Sequence, residues 1–467
     1  MNEENILHTI GSIADQIPLD VYAVGGFVRD RILNDSVKDI DFVVVGDGPK
    51  FARLVHKKLE TSNLVIFEKY QTAMLKLHDF HLEFVSARSE YYTENSRKPN
   101  VKKTDLLTDL SRRDFTINAI ALGVNKFNYG EMIDPFRGQE DIKRKLIRTP
   151  LDPLETFKDD PLRIMRAIRF ASKLNFKIEP SVFKALEKMV PRLEIISQER
   201  ITDELLKILM SPKPSIGLHL LDKAGILELI FPEISSLKGV DERKGYHHKD
   251  VFEHTLKVVD NIAGVTDKIE LRLVALVHDI AKPATKRFVE GTGWTFHGHD
   301  EIGARMIEPV FRRLKLPKAM IRYAQKLTRL HLRPINLSNE EVTDSAIRRL
   351  AVQAGESLED LLALCRADIT SANPERVKRH QSRFDYVFER LLEVEEKDKL
   401  RAFQSPLRGD EIIELCNISP GPVVGILKKM IEDAILDDEI ANEHDAARDF
   451  LLKIKDDVLE KNKNKLR

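Results

Sequence analysis

Residues 21–46 read VYAVGGFVRDRILNDSVKDIDFVVVG, and this stretch decides the fold of the first part of the chain. Apolar residues precede Gly25 and a β-branched run follows Asp41, which predicts two strands with a short amphipathic helix between them. Gly25 and Gly26 stand where the first strand would turn into that helix. The stretch therefore predicts a strand–turn–helix–strand unit in a mixed α/β fold.

Two carboxylates lie at the start of the second predicted strand, at Asp39 and Asp41. A strand period of two places both side chains on one face. Carboxylates this close repel each other unless a divalent cation lies between them, and Mg²⁺ prefers oxygen ligands together with a substrate's phosphates. The backbone N–H groups of the Gly25–Gly26 turn suit triphosphate oxygens. Together these features predict a Mg²⁺ and nucleotide site, whereas either pair alone is typical of a solvated strand end or a tight turn.

The length and composition of the chain indicate a globular protein of several domains. Its 467 residues exceed one ordinary core, and 42% apolar with 32% charged residues is a globular balance. No apolar run approaches the ~20 residues that span a bilayer. The first residues also lack the basic and apolar segments of a signal peptide. We therefore expect a cytoplasmic protein with no membrane partner.

Cysteine content and charge restrict the kinds of site that the chain can build. Its two cysteines, Cys365 and Cys416, exclude a disulfide framework and a cysteine-based zinc cluster. Any metal must therefore be bound by histidines and carboxylates. The 75 basic residues equal the 75 acidic ones in number, so a nucleic-acid partner would be bound by a local patch.

Strand patterns are concentrated near the amino terminus, and helical patterns dominate the rest. Further strands are predicted at residues 73–77 and 81–86, whereas amphipathic helices begin near Thr156. Breaks at residues 211–215 and 241–245 separate groups of helices. We predict an α+β fold in which a small mixed-sheet head precedes all-α parts. The predicted domains are a head at 1–150, a helical neck at 151–238, a helical domain at 239–400 and a helical tail at 401–467.

More motifs follow the first stretch in a fixed order. They are RRDFTINA at residues 112–119, DPF at 134–136 with Gly138 and Asp141, DDPLRIMRAIRF at 159–170, and Glu199-Arg200. With GGFVRD and DIDF, this series over residues 20–200 resembles the class II tRNA nucleotidyltransferase and poly(A) polymerase family of the polymerase-beta-like superfamily. The chain departs from the family pattern at Tyr70-Gln71, because an aromatic–glycine pair often precedes Thr-Ala-Met there.

The resemblance implies a nucleotidyl transfer in which a terminal RNA hydroxyl attacks the α-phosphate of a nucleotide and pyrophosphate leaves. It implies that Asp39 and Asp41 bind Mg²⁺ ions. Glu83 is our candidate for a third carboxylate because it alternates with apolar neighbours; an exposed strand glutamate is the alternative. The residues that the resemblance assigns to the triphosphate and the ribose are Gly25, Gly26, Arg29, Arg113 and Asp114.

Charged residues recur every three positions in the fourth motif, at Asp160, Arg163, Arg166 and Arg169. On an α-helix this spacing forms a slowly turning stripe. Arginine offers a planar fork of donors and aspartate offers acceptors, which together match the edge of cytosine or adenine. The resemblance implies that the first two read the base and that the last two support the phosphates or the helix. A solvated face of an amphipathic helix is the alternative.

A second set of potential metal ligands lies in the carboxy-terminal half. His254, the doublet His278-Asp279 and the later Asp368 follow the order of the HD superfamily of metal-dependent phosphohydrolases, which they resemble. His299 and His331 are further candidates that could support a second metal. Imidazole and carboxylate ligands suit Mg²⁺, Ni²⁺, Mn²⁺ or Fe²⁺. The resemblance implies phosphatase or cyclic phosphodiesterase chemistry on RNA ends.

These resemblances imply three alternative functions. The first is addition of C, C and A to the tRNA acceptor end from CTP and ATP without a template. The second is a poly(A) polymerase or a partial enzyme that adds only C–C or only A. The third, from another class, is an HD phosphohydrolase whose head binds nucleotide or RNA without catalysis.

Overall fold

The computed structural model describes residues 2–35, 37–93, 96–240, 250–291, 293–337, 343–370, 405–437 and 439–462, together with 382, 385, 388–390 and 393; side chains of residues 89–102 are not described. The chain forms two compact units, Met1–Ser236 and Leu237–Arg467. Among the described residues, no helix is long and apolar enough to cross a lipid bilayer. The predicted division into four domains stays a prediction.

The described residues of the first unit form nine strands before residue 134. They are β1 (Asp20–Val24), β2 (Asp39–Val45), β3 (Leu64–Phe67), β4 (Thr72–Leu77), β5 (Phe80–Ser86), β6 (Arg88–Thr93), β7 (Ser96–Lys103), β8 (Ala121–Gly123) and β9 (Met132–Ile133). Seven of them form one sheet in the order β3-β4-β5-β2-β1-β8-β9, and β6 pairs with β7. Within the sheet β2 and β5 are parallel, and the other neighbours are antiparallel. The predicted α+β fold is confirmed.

Helices flank this sheet and then continue to the end of the first unit. They are α1 (Glu3–Ala14), α2 (Gly26–Ile32), α3 (Gly48–Leu59), α4 (Leu106–Ser111), α5 (Gly138–Arg144), α6 (Pro153–Asp159), α7 (Leu162–Leu174), α8 (Pro180–Met189), α9 (Gln198–Leu209), α10 (Pro214–Lys223), α11 (Ile226–Ile230) and α12 (Pro232–Ser235). A short parallel pair joins β10 (Leu146–Ile147) to β11 (Lys177–Ile178).

One face of the sheet is covered by α3. Phe51 on α3 packs edge-on against Phe84 of β5 at a ring-centroid distance of 5.5 Å, and Phe84 stacks on Phe42 of β2 at 5.1 Å. All three rings are buried. Because side chains alternate along a strand, Asp41 and Glu83 lie on the opposite face of the sheet.

The arginine-rich helix begins later than the sequence predicts, so the prediction of a stripe of four residues is wrong. Helix α6 ends at Asp159, and Asp160 has an extended backbone with φ −138° and ψ 101°. Pro161 follows, and the proline ring disfavours a helical conformation in the residue before it. Helix α7 therefore carries Arg163, Arg166 and Arg169, whereas Asp160 precedes it.

The backbone at Gln71 explains how the chain tolerates its departure from the family pattern. Gln71 follows a short 3₁₀ turn, Glu68–Tyr70, and has φ 52° and ψ 42°, a left-handed conformation that favours glycine. Its side-chain amide donates to the carbonyl of Glu68 at 2.9 Å. Its own carbonyl accepts from the backbone N–H of Ser86 at 3.0 Å, so the turn is tied into the sheet.

The second unit is mainly helical over its described residues. Its helices are α13 (Val251–Ala263), α14 (Ile269–Val277), α15 (Lys282–Thr285), α16 (His299–Arg313), α17 (Lys318–Leu330), α18 (Arg333–Leu337), α19 (Asp344–Ala354), α20 (Leu358–Asp368), α21 (Gly409–Cys416), α22 (Pro422–Leu436) and α23 (His444–Lys461). A small hairpin pairs β12 (Arg287–Val289) with β13 (Gly293–Thr295). The break predicted at residues 241–245 lies outside the described residues.

Candidate active site and metal centre

Asp41 and Glu83 lie side by side on the open face of the sheet. The parallel register of β2 and β5 pairs Asp41 with Glu83, and it pairs the exposed Asp39 with His81. Burial raises the pKa of Asp41, and nearby Asp39 adds to the rise, although Arg113 opposes it. Burial and then Asp41 raise the pKa of Glu83. The two carboxylates therefore form a crowded and partly desolvated pair.

The glycine turn passes directly beside this carboxylate pair. Gly25 has φ +74°, and a Cβ at that position would lie 3.3 Å from Oδ2 of Asp41 and 3.1 Å from Nη1 of Arg113. A side chain would therefore be strained by the backbone conformation and crowded by both neighbours. Gly26 begins helix α2, so backbone N–H groups at the helix start lie next to the carboxylates.

A cleft of about 310 Å³ opens over the carboxylates. Six arginines and four acidic residues contribute to its lining, so guanidinium groups outnumber carboxylates. Such a surface suits a polyanion that binds next to a metal ion. The lining residues are Val24, Asp41, Phe42, Val43, Glu83, Val85, Arg88, Arg112, Arg113, Asp114, Asp160, Arg163, Arg166 and Arg200.

A buried hydrogen-bond network joins α2 to α7. Asp114 Oδ2 accepts from Nε and Nη2 of Arg166 at 2.8 and 2.5 Å, and Asp114 Oδ1 accepts from Nδ2 of Asn118 at 3.0 Å. The Asn118 Oδ1 atom accepts in turn from Nη1 of Arg29 at 2.7 Å. Burial disfavours the charged form of Asp114, but Arg166 and Asn118 outweigh it and lower its pKa to about 2.

Two predicted nucleotide-binding arginines, Arg29 and Arg169, pack against Phe170 and are not part of the cleft lining. The guanidinium carbons of Arg29 and Arg169 lie 5.0 and 4.4 Å from the centre of the Phe170 ring. Arg29 is only 3% exposed. Arg169 forms an ion pair with Glu204 of α9, with 2.9 Å between Nε and Oε2. Arg166 lies 5.4 Å from the same ring but contributes to the cleft lining, as Arg113 does, whereas Arg29 and Arg169 do not.

Asp160 and Arg163 lie at the start of α7, where they also line the cleft. Oδ1 of Asp160 accepts from the backbone N–H of Leu162 at 3.1 Å, and its Oδ2 lies 3.8 Å from Nη2 of Arg200. The Nη2 atom of Arg163 donates to the carbonyl of Arg112 at 2.7 Å. A carboxylate and a guanidinium are thus fixed at the edge of the cleft by backbone contacts.

In the second unit, Asp279 lies between two groups of potential metal ligands. Its Oδ2 is 3.2 Å from Nε2 of His278 and 3.7 Å from Nε2 of His254. Its Oδ1 is 3.3 Å from Nε2 of His299 and 3.8 Å from Nε2 of His331. Ligand atoms lie within 4.8 Å of one another in two sets, which are His254, His278 and Asp368, and Asp279, His299 and His331.

The four histidines direct the same ring nitrogen toward this centre. Nδ1 of His278, His299 and His331 lies 2.6–2.8 Å from a backbone carbonyl three residues earlier, which selects the tautomer with a free Nε2. Nδ1 of His254 contacts the hydroxyl of Thr370 at 2.8 Å. Neutral Nε2 atoms and carboxylates are suitable ligands for divalent transition metals.

The charges of this centre favour an added cation. Burial opposes a charge on His278, but Asp279 and Asp368 outweigh it and raise its pKa to about 10. Burial and the neighbouring His278 lower the pKa of His331 to about 4. The two aspartates thus attract positive charge from His278 and from Lys282, whose Nζ lies 2.7 Å from Oδ2 of Asp279, and metal binding at such a site displaces protons.

Comparison with known proteins decides the family. The chain is 34% identical over 340 residues to the A-adding tRNA nucleotidyltransferase of Deinococcus radiodurans, which covers 71% of this chain and 75% of that protein. It is also 34% identical over 368 residues to the multifunctional CCA protein of Nitrosococcus oceani, covering 75% and 84% of the two chains. The chain belongs to the tRNA nucleotidyltransferase and poly(A) polymerase family.

Matches within this family extend over both units. The CC-adding tRNA nucleotidyltransferase of Thermus thermophilus is 30% identical over 446 residues, with 93% of this chain and 94% of that protein covered. The chain matches the poly A polymerase head domain over residues 21–148, the probable RNA and SrmB-binding site of polymerase A over 175–238, and the HD domain over 251–373. The carboxylate pair lies in the first match and the histidine centre in the last.

A solved structure of the family has the same fold. A tRNA nucleotidyltransferase complexed with a primer tRNA and an incoming ATP analogue is 25% identical to this chain, with a TM-score of 0.58. The alignment covers 82% of this chain and 99% of that chain. The tRNA nucleotidyltransferase family assignment is thus supported by sequence and by fold.

Sequence patterns missed several residues that contact the predicted ligands of the cleft and of the histidine centre. Asn118 lies inside the quoted RRDFTINA motif, but its contact with Arg29 joins residues far apart in the chain. Glu204 is a charged residue on the buried face of α9, a visible signal that the helix period could have revealed. Lys282 follows Asp279 by one helical turn, with Nζ 2.7 Å from Oδ2 of that aspartate.

Proposed function

We propose that this family member adds C, C and A to the 3′ end of tRNA, using CTP and ATP and no nucleic-acid template. The observation that carries the proposal is the register pair Asp41–Glu83, which lies in one cleft with Arg113 and Arg166. The relatives that act as A-adding, CC-adding and CCA proteins support tRNA as the acceptor.

Asp39, Asp41 and Glu83 would hold Mg²⁺ in this reaction. The raised pKa values of Asp41 and Glu83 fit this assignment, because burial, and after it a neighbouring carboxylate, disfavours their charged forms, which a divalent cation would stabilise. Two such ions, when bound, stabilise the attacking and leaving oxygens of nucleotidyl transfer. The rigid parallel pairing of β2 and β5 would set the positions of these ligands before substrate binds.

The triphosphate would bind at the turn of Gly25 and Gly26 and next to Arg113. Small residues at the turn let backbone N–H groups approach the phosphates, and Arg113 supplies a positive charge at the same point. Arg113 and Asp114 would contact the ribose. Arg29 would act through Asn118, because its guanidinium is buried and already bonded to that side chain.

Asp160 and Arg163 would read the base. Cytosine and adenine share an amino donor next to a ring-nitrogen acceptor, which a carboxylate and a guanidinium can pair with. Arg166 would hold Asp114 in place for the nucleotide, and Arg169 would brace α7 against Glu204 of α9. Template-free selection thus depends on a fixed helix start rather than on a second nucleic-acid strand.

Partial addition is the second candidate function. The A-adding relative is 34% identical and the CC-adding relative 30% identical, so the family includes enzymes that add only part of C–C–A. Poly(A) synthesis is the remaining alternative within the family. The carboxylate pair serves all of these reactions, so the products must distinguish them.

The test is incorporation of labelled CTP and ATP, separately and together, into tRNA that ends before, within or one residue short of C–C–A, with Mg²⁺. We expect ordered addition of C, C and A that then stops. Asp41→Asn should abolish incorporation, whereas Asp79→Asn, at an exposed turn of the same sheet, should not. Addition of C–C alone or A alone would establish a partial enzyme, and unlimited A addition a poly(A) polymerase.

For the second unit we propose metal-dependent hydrolysis of phosphoesters at RNA ends. Asp279 and the five potential ligands around it support this function, because metals held this way activate water and polarise a phosphate. The ion would be Mg²⁺, Ni²⁺, Mn²⁺ or Fe²⁺. His278→Ala should remove phosphatase or cyclic phosphodiesterase activity while nucleotide incorporation continues. Hydrolysis without any incorporation by the wild-type chain would instead favour an HD phosphohydrolase with a non-catalytic head.

A further inference from the structure

The open face of the sheet extends beyond Glu83 onto β4 and β3. The register pairs Glu83 with Met74 and Met74 with Val65. In the next row, Thr72 pairs with Phe67. Because register partners on neighbouring strands project to the same side, the open face that carries Asp41 and Glu83 continues onto Met74, Val65 and Phe67.

These three apolar side chains are exposed to solvent. Val65 is 50%, Phe67 44% and Met74 40% exposed, whereas Ala73 and Leu75, on the other face of β4, are buried. We call Val65, Phe67 and Met74 the outer patch. Adjacent exposed apolar groups at the edge of a sheet are typical of a binding surface.

The outer patch also has a basic margin. Lys76 follows Met74 by two residues, so it projects to the same side of β4, and it pairs in register with His81 of β5. Both residues are exposed. An apolar surface with a cation beside it is suited to single-stranded nucleic acid, whose bases stack on side chains while its phosphates attract positive charge.

We infer that the last nucleotides of the acceptor RNA lie on the outer patch. This inference rests on the proposed function, in which the RNA 3′ hydroxyl must reach the pair Asp41–Glu83. On the β1 side of that pair, the turn at Gly25 and the guanidinium of Arg113 form the proposed nucleotide site. This leaves the other side of the pair, across β4 and β3, for the RNA.

Stacking on apolar side chains also fits an acceptor whose end changes during the reaction. The last base of the RNA differs after each addition, so hydrogen bonds specific to one base would fail at the next step. Contacts with the flat face of a base tolerate every base. The outer patch thus positions the RNA end whatever its last base is, while Asp160 and Arg163 select the incoming nucleotide.

The experiment uses the full-length chain and tRNA that lacks C–C–A and carries 2-aminopurine as its last base. Stacking on the outer patch should quench the fluorescence of this base. In each of the single variants Phe67→Ala and Met74→Ala, we expect the dissociation constant for tRNA to rise by about fivefold or more. The quenching should be lost in both variants, whereas the KM for CTP should not change. Phe67→Trp should keep the quenching.

Phe127→Ala is the matched control, because Phe127 is 71% exposed in the same unit but lies outside the sheet face. It should bind tRNA like the wild type. Normal tRNA affinity and quenching in Phe67→Ala and Met74→Ala, with incorporation intact in the wild type, would overturn the inference and leave the proposed function standing. A wild-type chain that incorporates no nucleotide would overturn the proposed function and this inference with it.

Discussion

Arg166 donates two hydrogen bonds to one oxygen of Asp114, from Nε at 2.8 Å and from Nη2 at 2.5 Å. The two residues lie 52 positions apart in the sequence, so their contact fastens helix α7 to the segment that follows α4. Both line the cleft. The side chain proposed to contact the ribose is therefore positioned by the helix proposed to select the base.

The first prediction concerns the stability of this contact. Asp114 has a pKa of about 2 in the folded chain, against about 3.9 when unfolded. A lowered pKa means that its charge stabilises the fold above about pH 4 and that this contribution is lost as the pH falls toward 2. Asp114→Asn should therefore reduce the free energy of opening of α7 by about 2 kcal/mol at pH 7.

Hydrogen exchange of α7 peptides in the full-length chain, between pH 7 and pH 3, measures this effect. The difference between Asp114→Asn and the wild type should shrink toward the acid end of the range. Asp203→Asn, an exposed aspartate on α9, is the control and should change little at any pH. A difference that is the same at every pH would contradict an electrostatic origin.

The second prediction is that a substitution at Glu83 affects stability and activity in different ways. Burial and Asp41 raise the pKa of Glu83, so its charged form is unfavourable when no cation compensates it. Glu83→Gln should therefore keep or raise the melting temperature without Mg²⁺, while incorporation is lost. Mg²⁺ should stabilise the wild type more than the variant. A variant that melts well below the wild type without Mg²⁺ would show that Glu83 has a structural role instead.

The sequence predicted features that depend on residues close together in the chain better than contacts between residues far apart in the chain. The strand period correctly predicted that Leu82 and Phe84 point away from Glu83, because alternation is a local property. The order of His254, His278-Asp279 and Asp368 likewise predicted a set that the fold gathers around one point. These patterns needed no knowledge of tertiary contacts.

Other features could not be read from local patterns. The spacing of Asp160 matched a helix, but the conformational restriction by Pro161 outweighed the spacing. The assignment of Arg29 and Arg169 to nucleotide binding did not foresee that Phe170 and Glu204 engage them, since those contacts depend on how α7 packs against α2 and α9. Their roles stay proposals: Arg29 and Arg169 would position other residues of the site and would not contact the nucleotide themselves.

The third prediction tests the brace between α7 and α9. Glu204 is 2% exposed and forms an ion pair with Arg169. Glu204 also has Lys207 as a partner, with Nζ 3.4 Å from Oε1, but removal of the closer partner of a buried pair leaves the charge poorly compensated, which costs about 3 kcal/mol. Arg169→Met should therefore lower the melting temperature strongly. The double variant Arg169→Met with Glu204→Leu should recover much of the loss, and equal losses in single and double variants would argue against coupling.

The fourth prediction concerns the left-handed residue Gln71. A non-glycine residue in this conformation costs about 1–2 kcal/mol, whereas glycine loses roughly 0.5–1 kcal/mol more chain entropy on folding. Gln71→Gly should thus stabilise the chain slightly, by up to about 1 kcal/mol. Lys69→Gly, at a neighbouring position without positive φ, should destabilise it. Thermal unfolding followed by circular dichroism measures both, and a loss in Gln71→Gly would indicate that its bond to Glu68 outweighs the backbone strain.

The fifth prediction follows from the position of Asp279, whose two oxygens face different histidines. If Asp279 joins two metal ions, the full-length chain dialysed against Mn²⁺ should retain two ions, measured by mass spectrometry of the metal. His254→Ala and His331→Ala should each remove one ion, because they belong to different sets. His297→Ala, an exposed histidine nearby in the sequence, should keep both.

Asp279→Ala should remove both ions at once, because it takes one ligand from each position, since Oδ2 faces His278 and Oδ1 faces His299. A chain that loses one ion in Asp279→Ala would place that aspartate in a single site. Loss of both ions in His331→Ala would mean that the two positions fill only together, and the centre would then act as one cooperative unit.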